Sequence, residues 1–257
     1  MKQFISNRHG LKISVLVEIP EQSKGLAFVM HGHTGYKEQF QIEVAAKAFL
    51  QSGYVAVRFD TTHSRGESDG STEYGTPTTY YEDLEDVINW ASGQEWYQEP
   101  FILFGTSLGG LCTGKFSEEY PEKVKGLVVL CSLISGPEHA EYKIKNNPER
   151  LQEWEKTGWL IKESHSKPGE VSKIPWLFWT DLLTYDLNRK REKLTMPVLL
   201  ITSEKDTQLS VESIRSFYEK LTTKKELREI PGAGHTLYDR EHLKALEDIL
   251  KNWLKWI

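Results

Sequence analysis

The sequence predicts an α/β domain: a mostly parallel, eight-stranded sheet with helices on both faces and a small inserted helical cap. Three observations lead there. Short, nearly continuous apolar runs recur along the chain, and strands apolar on both faces suit a parallel sheet buried on both sides. Patterns with apolar residues three and four apart lie between those runs, which is the strand–helix alternation of an α/β domain. One middle segment breaks the alternation.

In order along the chain, residues 3–6 and 12–19 alternate apolar and polar side chains around a turn that Gly10 closes, so they read as two joined strands. Buried strands are predicted at 26–30, 54–59, 101–104, 127–130 and 198–201, and a last one at 227–230. Helices are predicted at 40–50, 80–90, 108–119, 211–221 and 242–256. From 137 to 191 no buried-strand pattern occurs, and prolines stand at Pro148, Pro168 and Pro175. The expected division is therefore a core domain of 1–136 and 192–257 with a cap of 137–191 folded over one end of the sheet. Ligands of open α/β sheets bind outside the carboxyl ends of the strands, where such a cap would lie.

Composition narrows the function. A chain of 257 residues with 39% hydrophobic and 27% charged residues is globular rather than disordered. No apolar run approaches the roughly 20 residues of a membrane-spanning helix, and Lys2 is followed by no apolar signal-like stretch. The net charge of −5 argues against a nucleic-acid partner. The basic group Arg189, Lys190, Arg191 and Lys193 reads as a solvated helix end. Two cysteines, Cys112 and Cys131, suit neither a disulfide framework nor a zinc site, and a cytoplasmic location is expected.

The strongest local pattern is Gly105-Thr106-Ser107-Leu108-Gly109. A predicted strand runs into it and a predicted helix runs out, the setting in which a sharp turn holds a serine hydroxyl clear of the backbone. Serine needs a base to act as a nucleophile. Gly232-Ala233-Gly234-His235 offers one at the carboxyl end of the last strand, and Asp206 is the expected orienting carboxylate in preference to Glu204. His31 and His33 form a His-x-His pair with Asp60 and His63 near in sequence, but lack the close acidic and histidine ligands of a metal motif, so no metal is expected. Asp60 is expected to cap backbone amides of the following turn, His63 to be a hydrogen-bonded loop residue, and Cys112 to face away from Ser107.

The order Ser107, Asp206, His235 is the chain order of the α/β-hydrolases. Together with His31-Gly32-His33-Thr34-Gly35 and Arg65-Gly66-Glu67-Ser68-Asp69-Gly70, it makes the sequence resemble that superfamily over essentially its full length. The greatest resemblance is to small capped carboxylesterases of the cinnamoyl/feruloyl type. The resemblance implies catalysis by Ser107, His235 and Asp206, an oxyanion hole from the amides of His33 and Leu108, and no cofactor. His33 departs from the aromatic or apolar residue usual there, and the 60–70 stretch is slightly long; both bear on specificity. Thr34 and the cap tryptophans Trp159, Trp176 and Trp179 are candidate substrate contacts, with Trp154 and Phe178 as further lining or cap core. The implied substrate is a small-molecule ester with a short-to-medium or aromatic acyl group, and a homodimer stays open. Thioesters, monoacylglycerols and carbon–carbon bonds are cleaved by the same constellation, and a non-catalytic binding protein would be expected to have lost it. A peptidase of this type would be expected to carry a further large domain.

Overall fold

The computed structural model describes residues 1–163 and 169–257; Pro168 lies outside the described residues. Eight strands form one sheet: β1 (Lys2–Ser6), β2 (Lys12–Glu18), β3 (Gly25–Met30), β4 (Tyr54–Phe59), β5 (Phe101–Thr106), β6 (Val124–Leu130), β9 (Val198–Ser203) and β10 (Lys225–Ile230). Their spatial order is β1-β2-β4-β3-β5-β6-β9-β10. β1 and β2 pair antiparallel, β2 joins β4 antiparallel, and every later pairing is parallel.

β3, β4, β5 and β9 are buried along their whole length, which is why the sequence shows them as continuous apolar runs. Side chains alternate between two cores. On β3, Leu26, Phe28 and Met30 enter one, while Ala27 and Val29 enter the other. The first core also takes the buried faces of α2 (Pro77–Ala91), α3 (Leu108–Glu119) and α7 (Val211–Lys220). The second takes those of α1 (Phe40–Gln51) and α8 (Arg240–Trp253). Helices therefore cover both faces.

Boundaries differ from the sequence pattern where capping chemistry decides them. α2 begins at Pro77 because Thr76 and Thr79 exchange side-chain and backbone hydrogen bonds in a capping box. β10 starts at Lys225 although only Ile230 is fully buried along it, as befits an edge strand.

Between β6 and β9 the chain builds α4 (Gly136–Asn146), α5 (Pro148–Thr157), β7 (Trp159–Glu163), β8 (Val171–Pro175) and α6 (Trp176–Leu182). The insertion is helical as expected and also contains a two-stranded antiparallel ribbon of β7 and β8, which the sequence pattern did not announce. Its exposed positions alternate with half-buried or buried ones, so it never forms an apolar run. A bridge between Ser135 and Asp186 fastens the insertion where it leaves and rejoins the core. Asp181 accepts hydrogen bonds from the Thr78 amide at 2.7 Å and its hydroxyl at 2.8 Å, which ties α6 to the start of α2. Among the described residues no helix is long and apolar enough to cross a membrane.

Candidate active site

β3 lies between β4 and β5, so the chain turns to opposite sides of the sheet at its carboxyl end, where α/β folds open a crevice. Ser107 sits there, between β5 and α3, with φ 54° and ψ −121°. That positive φ is costly for a residue with a Cβ, and persists only when the surroundings enforce it. The flanking glycines show the enforcement. A Cβ on Gly105 would lie 2.3 Å from the Gly109 carbonyl oxygen, and one on Gly109 would lie 2.4 Å from that of His31. The motif's small residues are thus required by backbone packing.

His235 follows β10 and meets Ser107 across the crevice. Its Nδ1 lies 2.8 Å from Asp206 Oδ2, and its Nε2 lies 3.1 Å from Ser107 Oγ. The carboxylate only accepts, so Nδ1 carries the proton and Nε2 is left to receive the serine hydroxyl's. Burial raises the Asp206 carboxyl, but the hydrogen bond and charge of His235, with the amides of Gln208 and Leu209, outweigh it and hold the group below its usual range. Glu204, the sequence competitor, instead accepts the Gly232 amide at 2.7 Å. The structure brings Ser107, His235 and Asp206 together and leaves Glu204 outside.

A cavity of about 770 Å³ opens onto Ser107 and His235. His33, Thr34 and Leu108 line it as well. Leu108 is the first residue of α3, whose leading amides have no partner within the helix. The loop carrying His33 passes against the serine closely enough that a Cβ on Gly32 would sit 2.9 Å from Ser107 Cβ. Thr34 takes a φ of 56° and its amide donates to the Tyr80 hydroxyl at 3.0 Å.

The tryptophans divide. Trp179 lines the cavity with Trp154 and Phe178. Trp159 and Trp176 do not. Trp159, the first residue of β7, is 40% exposed and lies beneath Lys173 Nζ at 5.2 Å. Trp176 packs on Trp154 and Trp179, with ring centroids 5.5 and 5.9 Å away, against the first core.

The charged and polar part of the lining, Arg65, His139, Lys143, Arg150 and Lys162, was not legible in the sequence. His139 is pushed down to about 3 by burial and by the charges of Lys143 and His235. His33, stacked on Phe178 with centroids 4.1 Å apart, is pushed down to about 3 by burial and by Lys162 and Arg65. Both are neutral near pH 7.

The other histidines have local tasks. His31 is fully buried; its Nδ1 donates to the Gly32 carbonyl at 2.7 Å and its Nε2 accepts the Thr61 amide at 3.0 Å, so neither nitrogen is open to a ligand. His63 Nδ1 accepts the Ser71 amide. Asp60 accepts the amides of Lys37 and Glu67. Among the described residues no group of three or more His, Cys, Asp or Glu side chains is placed to hold a metal ion. Cys112 is fully buried in the core.

Residues 21–173 match the family described as serine aminopeptidase, S33, and residues 170–256 match that of PhoPQ-activated pathogenicity-related protein. An uncharacterized 31.7 kDa protein of the traX–finO intergenic region of Escherichia coli is 25% identical, over 95% of each chain. Est1E from Butyrivibrio proteoclasticus, in a structure with ferulic acid bound, superposes with a TM-score of 0.81 at 20% identity over 98% of each chain. Mouse alpha/beta hydrolase domain-containing protein 10 superposes with a TM-score of 0.80 at 18% identity, over 99% of this chain and 98% of its own. The fold is that of the α/β-hydrolases.

Proposed function

The chain belongs to the serine aminopeptidase S33 family, and from its site we propose that it is a serine hydrolase that cleaves carboxylic esters through an acyl-enzyme on Ser107. One observation carries this reading: the hydrogen-bonded series Ser107–His235–Asp206 opening directly onto a cavity.

In this mechanism Ser107 Oγ attacks the ester carbonyl carbon while His235 Nε2 takes its proton. Asp206 holds the tautomer and steadies the imidazolium. Negative charge on the former carbonyl oxygen is received by the amides of His33 and Leu108, a contribution of about 3 kcal/mol per donor in comparable sites. His235 returns the proton to the departing alcohol. Water, activated by the same imidazole, then releases the acid and restores Ser107.

The aromatic wall of Trp154, Phe178 and Trp179 supports a short-to-medium or aromatic acyl group. Est1E, which shares the fold, has ferulic acid bound in its structure, and this favours including a hydroxycinnamate ester among the test substrates.

The test is hydrolysis of p-nitrophenyl esters from acetyl to palmitoyl, with one methyl hydroxycinnamate, by wild type and Ser107→Ala. The expected result is turnover of short or aromatic esters that falls by at least about a thousandfold in the variant. A maximum at palmitoyl would move the reading to a monoacylglycerol lipase. Failure of the folded protein to cleave any ester would overturn it, leaving thioesters and carbon–carbon bonds to be tried.

A further inference from the structure

We infer that the substrate is an ester that also carries a free carboxylate, held by a cluster of cations at the cap side of the cavity. This rests on the esterase reading above and names the substrate class within it.

Four cations from four different elements line the cavity that holds Ser107: Arg65 after β4, Lys143 on α4, Arg150 on α5 and Lys162 on β7. Glu163 is the lone acidic residue among the described lining residues. The chain as a whole is acidic, with a net charge of −5, so the cavity opposes the general balance of the molecule.

The two lysines among them are not neutralised in place. Neither Lys143 nor Lys162 forms an ion pair among the described residues. Lys162 is driven below the usual lysine range by burial and then by Arg150, Lys143 and Arg65, with no anion opposing. Lys143 is lowered by burial and by Arg150, and only Asp206, already committed to His235, acts the other way. Arg65 donates twice to Ser172 Oγ, at 3.1 and 2.7 Å, which fixes its guanidinium at the cavity wall.

The molecule supplies its own comparison. Lys37 is fully buried for structural reasons and is enclosed by three carboxylates, Asp60 at 2.7 Å, Glu67 at 2.7 Å and Glu38 at 2.9 Å. Burial acts to lower it, yet those carboxylates raise it above the usual lysine range. A lysine serving the fold comes with its anions; the cavity lysines come without them. Crowding like charges in a partly desolvated site is unfavourable unless a ligand brings the counter-charge.

A second observation falls in the same corner. His33 Nε2 is buried without a hydrogen-bond partner, lines the cavity, and feels Lys162 and Arg65. In its Nε2–H tautomer, neutral His33 offers a donor to a carboxylate oxygen beside two cations. The same field repels an ammonium group, so a free amino terminus is disfavoured as substrate.

Two matched pairs test this. Monomethyl adipate against methyl hexanoate puts the charge on the acyl side, and 4-acetoxybenzoate against 4-acetoxybenzamide puts it on the alcohol side. Turnover of all four is followed by pH-stat, and binding of the first pair to Ser107→Ala by calorimetry. The expected result is that the anionic member of at least one pair has the higher kcat/KM by about tenfold or more, one charge pair's worth in a partly desolvated site. That ratio collapses in Lys162→Met and, separately, in Lys143→Met, so that one variant's misfolding does not remove the test. Turnover of the neutral esters with equal or greater kcat/KM overturns the inference and leaves the esterase reading standing. No turnover of any ester, with monomethyl adipate still bound and its binding lost in Lys162→Met, sinks the esterase reading and keeps the anionic ligand. No turnover and no binding sinks both.

Discussion

Asp206 holds His235 with one oxygen and its own loop with the other. Oδ2 lies 2.8 Å from His235 Nδ1, while Oδ1 accepts the amides of Gln208 at 2.8 Å and Leu209 at 3.2 Å. The carboxylate is thereby fixed before it fixes the imidazole. Asp206→Asn keeps the shape but allows the wrong imidazole tautomer, and kcat should fall by roughly 10³–10⁴ with KM little changed. Glu204→Gln, which alters a contact to Gly232, should change kcat by less than about threefold. Steady-state kinetics on a p-nitrophenyl ester separates the two, and the reverse order would assign the orienting role to Glu204.

Gly109→Ala tests the packing under the serine turn. Its Cβ would meet the carbonyl oxygens of His31 at 2.4 Å and Met30 at 2.8 Å, both backbone atoms of the central strand and its loop. Neither yields as a flexible side chain would, so the variant should lose at least about 2 kcal/mol in urea unfolding. An unchanged midpoint would mean that the close approach is not rigid.

Lys37 is a buried cation with structural anions. Lys37→Met keeps the volume but strands Asp60, which is itself fully buried. Removing one partner of a buried pair costs about 3–5 kcal/mol, and the loss should appear as a lowered denaturation midpoint. A midpoint close to wild type would show Asp60 to be satisfied by the amides of Lys37 and Glu67 alone.

Glu118 on α3 predicts a pH effect of known sign. It is 7% exposed, its Oε1 has no hydrogen-bond partner, and burial, aided by Asp186 and Glu192, pushes it up to about 8. The folded state binds this proton more tightly than the unfolded one. Its contribution is therefore fully present below the unfolded value of 4.5 and is lost as pH rises toward 8. In thermal melts Glu118→Gln should gain on wild type progressively across that window. Parallel curves would contradict the raised value.

How much of this was legible in the sequence follows from burial. β3, β4, β5 and β9 are covered on both faces and so appear as unbroken apolar runs. β7 and β8 pair only with each other, and the mixed composition of WLIKE and VSKIP hides them. Ser107 and His235 were legible because a tight turn and a glycine loop leave residue-type signatures. Trp159 and Trp176 were expected at the cavity on composition alone, and only the contact of one with Lys173 and the packing of the other on Trp154 show where they sit. Lys143 and Lys162 were illegible because a lysine is ordinarily a solvated residue. Only the folded cap shows that these two line a cavity.

If Ser107 is a nucleophile activated by His235, its hydroxyl is open to phosphonylation. The direct measurement is reaction with a fluorophosphonate, followed by intact mass and by mapping of the modified peptide. The expected result is one phosphonyl group per chain, on the peptide containing Ser107, with labelling lost in Ser107→Ala and slowed by at least about a hundredfold in His235→Ala. A folded wild-type protein that stays unlabelled, or a label carried on another residue, would contradict it.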